Sequence, residues 1–135
     1  MTDVGRAREL LGRTSFVLLT TFRRDGRLVP TPVWVAPLDE ERLVLVTQDT
    51  TGKVKRVRRE PRVLLAPCGR LGKPLGRPVD GHAVVLDDRE LPEAERVLSA
   101  KYGLQFGALN AVEGLLQRRG RMTGRRVAVA LTVTG

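Results

Sequence analysis

Arg27-Leu28-Val29-Pro30-Thr31-Pro32-Val33-Trp34-Val35 reads as a strand, and its two prolines decide where in a sheet such a strand can lie. Proline has no N–H to give to a ladder. Backbone groups of residues i and i+2 point toward the same edge of a strand, so Pro30 and Pro32 blank one edge and leave the other whole. Just upstream, Phe16 to Phe22 is rich in β-formers, and the Asp25-Gly26 pair between the two runs is a strong hairpin signal. The whole edge therefore faces Phe16 to Phe22. The blanked edge carries the carbonyls of Pro30 and Pro32 and both backbone groups of Trp34. Two readings stay open: an edge protected from aggregation by its prolines, or an edge offered to a flat ligand rimmed with donors and acceptors.

The rest of the chain supplies partners for that hairpin. Asp3 to Leu11 reads as a short helix with Val4, Ala7, Leu10 and Leu11 on one face. The return strand runs from about Arg27 to Ala36, Pro37 to Glu41 is a turn, and Arg42 to Gln48 is a third strand. Residues 50–60 suit a short helix with Val54 and Val57 as a thin buried stripe, started by Thr50 or Thr51 and ended before Pro61. Arg62 to Cys68 and Val79 to Leu86 are strands, the latter with a possible bulge at Gly81; Gly69 to Pro78 is a loop. Two helices follow, Leu91 to Tyr102 and Gln105 to Arg118, the second with Phe106, Leu109, Val112 and Leu116 at spacings of three and four and Gly120 at its end. Arg125 to Val133, where valine and leucine alternate with smaller residues, is the last strand. Six strands joined mostly by hairpin-length turns predict a mainly β, antiparallel barrel with flanking helices.

At 135 residues this is the size of one domain, and 41% apolar residues are enough for one core. No run approaches the ~18 apolar residues of a membrane helix. The opening Met1 to Arg6 has no basic segment followed by an apolar one, so the expected location is the cytoplasm; the single cysteine, Cys68, agrees with a reducing compartment. With one histidine (His82) and one cysteine, a metal site of the usual ligands cannot form within a chain. Ser15 and Ser99 have no nucleophile-elbow surroundings. The carboxylates cluster in a turn (Asp39, Glu40, Glu41) and around a helix start (Asp87, Asp88, Glu90), the ordinary places for capping and solvation. No acid/base pair emerges, so any difficult chemistry belongs to a cofactor.

The net charge of +9 calls for an anionic partner of some kind. Asp49-Thr50-Thr51-Gly52-Lys53-Val54-Lys55 places a Thr/Gly turn before a helix start that carries lysines, a plausible phosphate site although not a Walker loop. Lys53, Lys55, Arg56, Arg58 and Arg59 are five cations unbalanced until Glu60, and an external anion would relieve their repulsion; the alternative is a solvated helix face. A second basic run, Arg118 to Arg126, could meet nucleic acid, but aromatics are 4% of the chain and the run has none for base stacking, so solvated charge is the better account.

These segments, from Phe16-Val17-Leu18-Leu19-Thr20-Thr21-Phe22 and Val29-Pro30-Thr31-Pro32-Val33-Trp34-Val35 through Gly52-Lys53-Val54-Lys55-Arg56-Val57-Arg58-Arg59-Glu60-Pro61 to Leu65-Ala66-Pro67-Cys68, resemble the pyridoxamine-phosphate-oxidase class of split-barrel proteins, in particular its coenzyme F420-dependent oxidoreductases. The resemblance implies a six-stranded split β-barrel of the FMN-binding type, a homodimer with cofactor at the interface, and hydride transfer with no obligatory catalytic side chain. It implies a cofactor phosphate near Thr51, Lys53, Lys55 and Arg56, and a ring against Pro32, Val33, Trp34, Val46 and Thr47. Coenzyme F420 is the expected cofactor and FMN the alternative; Arg56, Arg59, Lys73 and Arg77 are candidates for its acidic tail. A cofactor carrier or sensor without turnover, and a basic nucleic-acid-binding barrel, are the rival readings.

Overall fold

The computed structural model describes residues 2–108, 115 and 124–135. Helix α1 (Asp3–Arg13) starts at Thr2, whose hydroxyl accepts from the Gly5 N–H at 3.0 Å. Strands β1 (Phe16–Phe22) and β2 (Leu28–Val33) form the expected hairpin. Its turn uses Gly26 at φ +87°, and the Asp25 carboxylate accepts from the Arg27 N–H at 3.0 Å. Then come β3 (Ala36–Pro37), β4 (Arg42–Gln48), α2 (Gly52–Arg59), β5 (Arg62–Cys68), β6 (Val79–Val85), α3 (Leu91–Tyr102) and β7 (Arg126–Val133). Every strand pair is antiparallel, in the order β2-β1-β5-β6-β7-β4-β3.

The expected count of six strands needs correction to seven, and the extra strand explains the closure. The run from Arg27 to Ala36 is broken at Trp34 and Val35: β2 pairs with β1 at one edge of the sheet, and β3 pairs with β4 at the other. One nearly continuous stretch of chain thus bridges both edges. The break exposes no raw backbone. Val35 is fully buried, its N–H donates to the Tyr102 hydroxyl at 3.2 Å, and its carbonyl accepts from the Lys101 ammonium at 2.6 Å. Two side chains from the end of α3 replace the ladder partner that the break removes.

The barrel interior holds Val17, Leu19, Leu45, Val63, Leu65 and Leu131, capped by Leu11 from α1. Burying each such side chain stabilises the fold by about 1.5–3 kcal/mol. Strand β7 is buried on both faces, because its inward residues Val129 and Leu131 alternate with Ala128 and Ala130. Ala94 of α3 packs on Ala128 and Val44, alanine against alanine, and so brings the helix close to the sheet. Two further expectations change. Leu10 does not belong to the buried face of α1; it is 48% exposed. Gly81 marks no bulge, since β6 keeps regular register with β5 and β7 through it. A Cβ there would lie 2.9 Å from Leu65 and 3.1 Å from the Thr132 carbonyl, so close packing explains the glycine. Residues 104–108 and 115 are helical, and the other positions of the expected second helix, with Leu109, Val112, Leu116 and Gly120, lie outside the described residues.

Candidate functional site

Where β2 ends, the end of β4 and the starts of α2 and β7 come together around a cleft of about 330 Å³. That is a size suited to a small organic ligand. Pro32, Val33 and Trp34 form one wall, and Leu45, Val46 and Thr47 form another. Lys53 enters from the first turn of α2; Leu98 and Phe106 close the floor; Phe16 and Arg126 complete the rim. Trp34 stacks on Tyr102 with ring centroids 4.7 Å apart and planes at 10°, and Phe16 meets it tilted at 6.5 Å. The stack fixes the indole, because Tyr102 is itself held by Val35 and donates toward the Ser15 carbonyl at 2.9 Å.

The two cations of the cleft differ. Lys53 is half-buried, and burial first, then the neighbouring Arg56, hold its ammonium below the ordinary lysine value. An anion in the cleft would favour the charged ammonium and so offset the lowering. Arg126 lies over the Phe106 ring at 5.5 Å and reaches Glu95 at 3.6 Å, so its position is set from both sides.

Pro32, Val33, Trp34, Val46, Thr47 and Lys53, all expected site residues, line this one cleft. Lys55 and Arg56 do not: they line a separate groove beside the β1–β2 turn, with Arg23, Arg24 and Arg59. For Lys55 the reason is helical geometry, since residues two apart on a helix point in nearly opposite directions; Arg56, three residues from Lys53, is drawn to the groove by its bond to the Thr21 hydroxyl at 2.6 Å. Lys53 and Lys55 therefore do not converge on one point. Thr51 lines neither hollow; it precedes α2 and its hydroxyl donates to the Gln48 carbonyl at 2.9 Å, with no side-chain cap made. Lys73 and Arg77 are exposed on the loop between β5 and β6, away from the cleft lining. His82 is exposed on β6, and among the described residues no cluster of His, Cys, Asp or Glu could hold a metal. In the second basic run, Arg118 to Thr123 lie outside the described residues, while Arg125 pairs with Asp49 and Asp88.

Phe16, Leu45, Leu98, Phe106 and Arg126 belong to the cleft although nothing local in the sequence singles them out. Arg126 in particular looks like the tail of a basic run, and only the pairing of β4 with β7, Gln48 opposite Arg126, carries it to the cleft.

An antiparallel sheet closed through one bent strand, with an apolar, cation-edged cleft at the bend, defines a split β-barrel protein. A family model described as pyridoxamine 5'-phosphate oxidase matches residues 4–135, and the chain belongs to that family. No curated protein matches the chain significantly. Among solved structures, a conserved hypothetical protein from Mycobacterium tuberculosis is similar over 100% of this chain and 82% of its own, at 20% identity and a TM-score of 0.64. A structure described as an F420 reductase is similar at 20% identity and a TM-score of 0.55, covering 95% of this chain and 93% of that one. HutZ, described as a haem storage protein, from Vibrio cholerae, reaches a TM-score of 0.66 at 12% identity, covering 100% and 92%. At these identities the likenesses establish the fold. Among the described residues no helix is long and apolar enough to cross a membrane.

Proposed function

We propose that the cleft at the β2 bend holds the ring of a deazaflavin cofactor, coenzyme F420 in preference to FMN, and that the protein is an oxidoreductase acting on a small unsaturated substrate. The observation that carries this reading is one cleft with flat apolar walls at Val33, Trp34 and Val46 and a cation, Lys53, at its edge. A flat ring with a phosphate-bearing chain needs both, at that separation of roles. The outward carbonyls of Pro30 and Pro32 add acceptors for ring N–H groups, because the strand partner of β2 lies on its other edge. Such a cofactor, when bound, supplies the hydride. The chain's own contribution is to orient the ring, exclude water through Trp34, Leu98 and Phe106, and neutralise phosphate at Lys53. The net charge of +9 favours coenzyme F420, whose tail carries several carboxylates, over FMN. The cleft opens at the surface, which suits a homodimer that covers it with a second copy.

A fluorescence titration with coenzyme F420 and, in parallel, FMN tests the reading. Micromolar or tighter binding of F420, about −8 kcal/mol or better, with weaker binding of FMN, is the expected result. Lys53→Ala weakens that binding by about 1.5–3 kcal/mol, a Kd roughly 10- to 150-fold higher. Absence of binding to either cofactor removes the proposal. Binding with no hydride transfer to any of a panel of unsaturated substrates leaves a carrier or sensor. Light scattering with and without cofactor checks the dimer.

A further inference from the structure

Two turns of the chain share one backbone design and differ at their tips. Between β1 and β2 the Gly26 N–H donates to the Arg23 carbonyl, the Arg23 N–H donates to the Arg27 carbonyl, and Gly26 takes φ +87°. After β5 the pattern repeats. The Gly72 N–H donates to the Gly69 carbonyl at 2.9 Å, the Gly69 N–H to the Lys73 carbonyl at 2.9 Å, and Gly72 takes φ +88°. The two central positions hold Arg24-Asp25 in the first turn and Arg70-Leu71 in the second. Asp25 serves its turn, because its carboxylate accepts from the Arg27 N–H at 3.0 Å. Leu71 has no acceptor to offer. It stands 95% exposed at the tip, and the turn geometry gives no reason for it.

Leu75, 67% exposed, follows on the same loop. The loop is held in place: the Leu75 N–H donates to the Pro67 carbonyl at 2.8 Å, and a Cβ on Gly76 would lie 3.1 Å from Pro67 Cγ. Both leucines are thus held out in water. Arg70, Lys73 and Arg77 are exposed around them and make no ion pair among the described residues. From Pro61 to Val79 the chain carries no carboxylate at all. Apolar tips set among uncompensated cations match an anionic bilayer surface, where leucines enter the acyl boundary and cations meet headgroup phosphates. A protein partner matches less well, since a stable interface needs about 800 Å² from each side and a turn tip is convex.

We propose that the loop between β5 and β6, residues 69–78, docks the protein on an anionic lipid surface, with Leu71 and Leu75 inserted and Arg70, Lys73 and Arg77 on the headgroups. Gly72 lies against Pro32, where a Cβ would stand 3.8 Å from Cδ, and Pro32 belongs to a wall of the cleft. Docking therefore brings the cleft to the bilayer interface, whatever the cleft holds.

The test is flotation of the full chain with vesicles of phosphatidylcholine alone, and of phosphatidylcholine mixed about 1:1 with phosphatidylglycerol, at about 0.15 M salt. The expected result is partition onto the anionic vesicles at least about tenfold stronger than onto the neutral ones. Leu71→Ser/Leu75→Ser, which keeps every charge, and Arg70→Gln/Lys73→Gln each weaken it about tenfold. Arg23→Gln/Arg24→Gln removes the same charge from the twin turn, at the opposite end of β1, and changes it less than about threefold. Leu71→Trp reports insertion directly, as a blue shift of emission on anionic vesicles that the parent lacks, and it decides the matter if the serine variant fails to fold. Soluble glycerophosphoglycerol, the headgroup without its acyl chains, does not compete. Equal partition onto both vesicles, equal loss in Arg23→Gln/Arg24→Gln, competition by the soluble headgroup, or an unshifted Leu71→Trp emission overturns the proposal. So does a halved mass of Leu71→Ser/Leu75→Ser in light scattering, which would assign the leucines to a second copy of the chain.

Discussion

Strand β2 begins and ends in a change of direction, and the two are built by different means. At its start the chain reverses over five residues that hold one another: Gly26 takes φ +87°, its N–H donates to the Arg23 carbonyl at 2.9 Å, and Asp25 binds Arg27. At its end, Trp34 and Val35 leave the ladder, and the freed groups of Val35 go to Lys101 and Tyr102 at the end of α3. The first bend is local and wet; the second is buried and depends on residues 66 and 67 positions away. A local turn can form before the rest of the fold, whereas the clasped break exists only once α3 has docked. It also couples the cleft to α3, since Trp34 stacks on the same Tyr102 that serves Val35.

The comparison breaks most sharply at Lys101. Its ammonium donates to the Thr14 carbonyl at 2.7 Å and the Val35 carbonyl at 2.6 Å. Lys101→Met keeps the apolar stem, leaves the Thr14 carbonyl unpaired and leaves the Val35 carbonyl only the Tyr102 hydroxyl at 3.0 Å, at an expected cost of about 2–3 kcal/mol in a denaturant titration. A loss below about 1 kcal/mol would mean that water replaces the lysine and that the break is not clasped. The same residue gives a pH signature. Burial lowers Lys101 from 10.5 to about 8. Between those values the unfolded chain binds the extra proton, so stability rises with pH from about 8 to about 10.5. The neutral amine still has two N–H groups for its two carbonyls, so the clasp survives deprotonation. The rise belongs to Lys101 only if it disappears in Lys101→Met, a subtraction that also removes the contribution of Lys53, which is shifted in the same direction.

The local bend responds less. Gly26→Ala forces an alanine into a left-handed conformation, though a Cβ there would meet nothing within 4 Å. The expected cost is about 1–2 kcal/mol, from backbone conformation alone, read as a lower denaturant midpoint with an unchanged slope. Gly26→Asn, which tolerates that conformation better, should recover part of it.

The same contrast governs what was legible in the sequence. Asp25-Gly26, Pro61 after α2 and Pro92 at the start of α3 are local signals, and the elements that they bound lie where they were expected. The break at Trp34 was illegible, because Val33-Trp34-Val35-Ala36 has the composition of unbroken strand and its partners lie in α3. The cleft was legible where strand pattern and family resemblance met, at Pro32 to Trp34, Val46, Thr47 and Lys53. Arg126 and Phe106 were not, because only tertiary pairing carries them there. Lys53 and Lys55 read as one basic cluster in the sequence, and the turn of α2 sends them to different hollows.

The smallest effect on stability is expected from Asp25→Ala, and it is informative for that reason. Asp25 is exposed, its carboxylate held low by bonds to the Arg27 backbone and side chain. Exposed ion pairs of this kind contribute little, so Tm should stay within about 2 °C of the parent. The turn keeps its shape from Gly26, and the hairpin register Phe22 opposite Leu28 should persist. A fall in Tm of more than about 5 °C would mean that Asp25 holds the turn, and that the two bends of β2 differ less than their hydrogen bonds suggest.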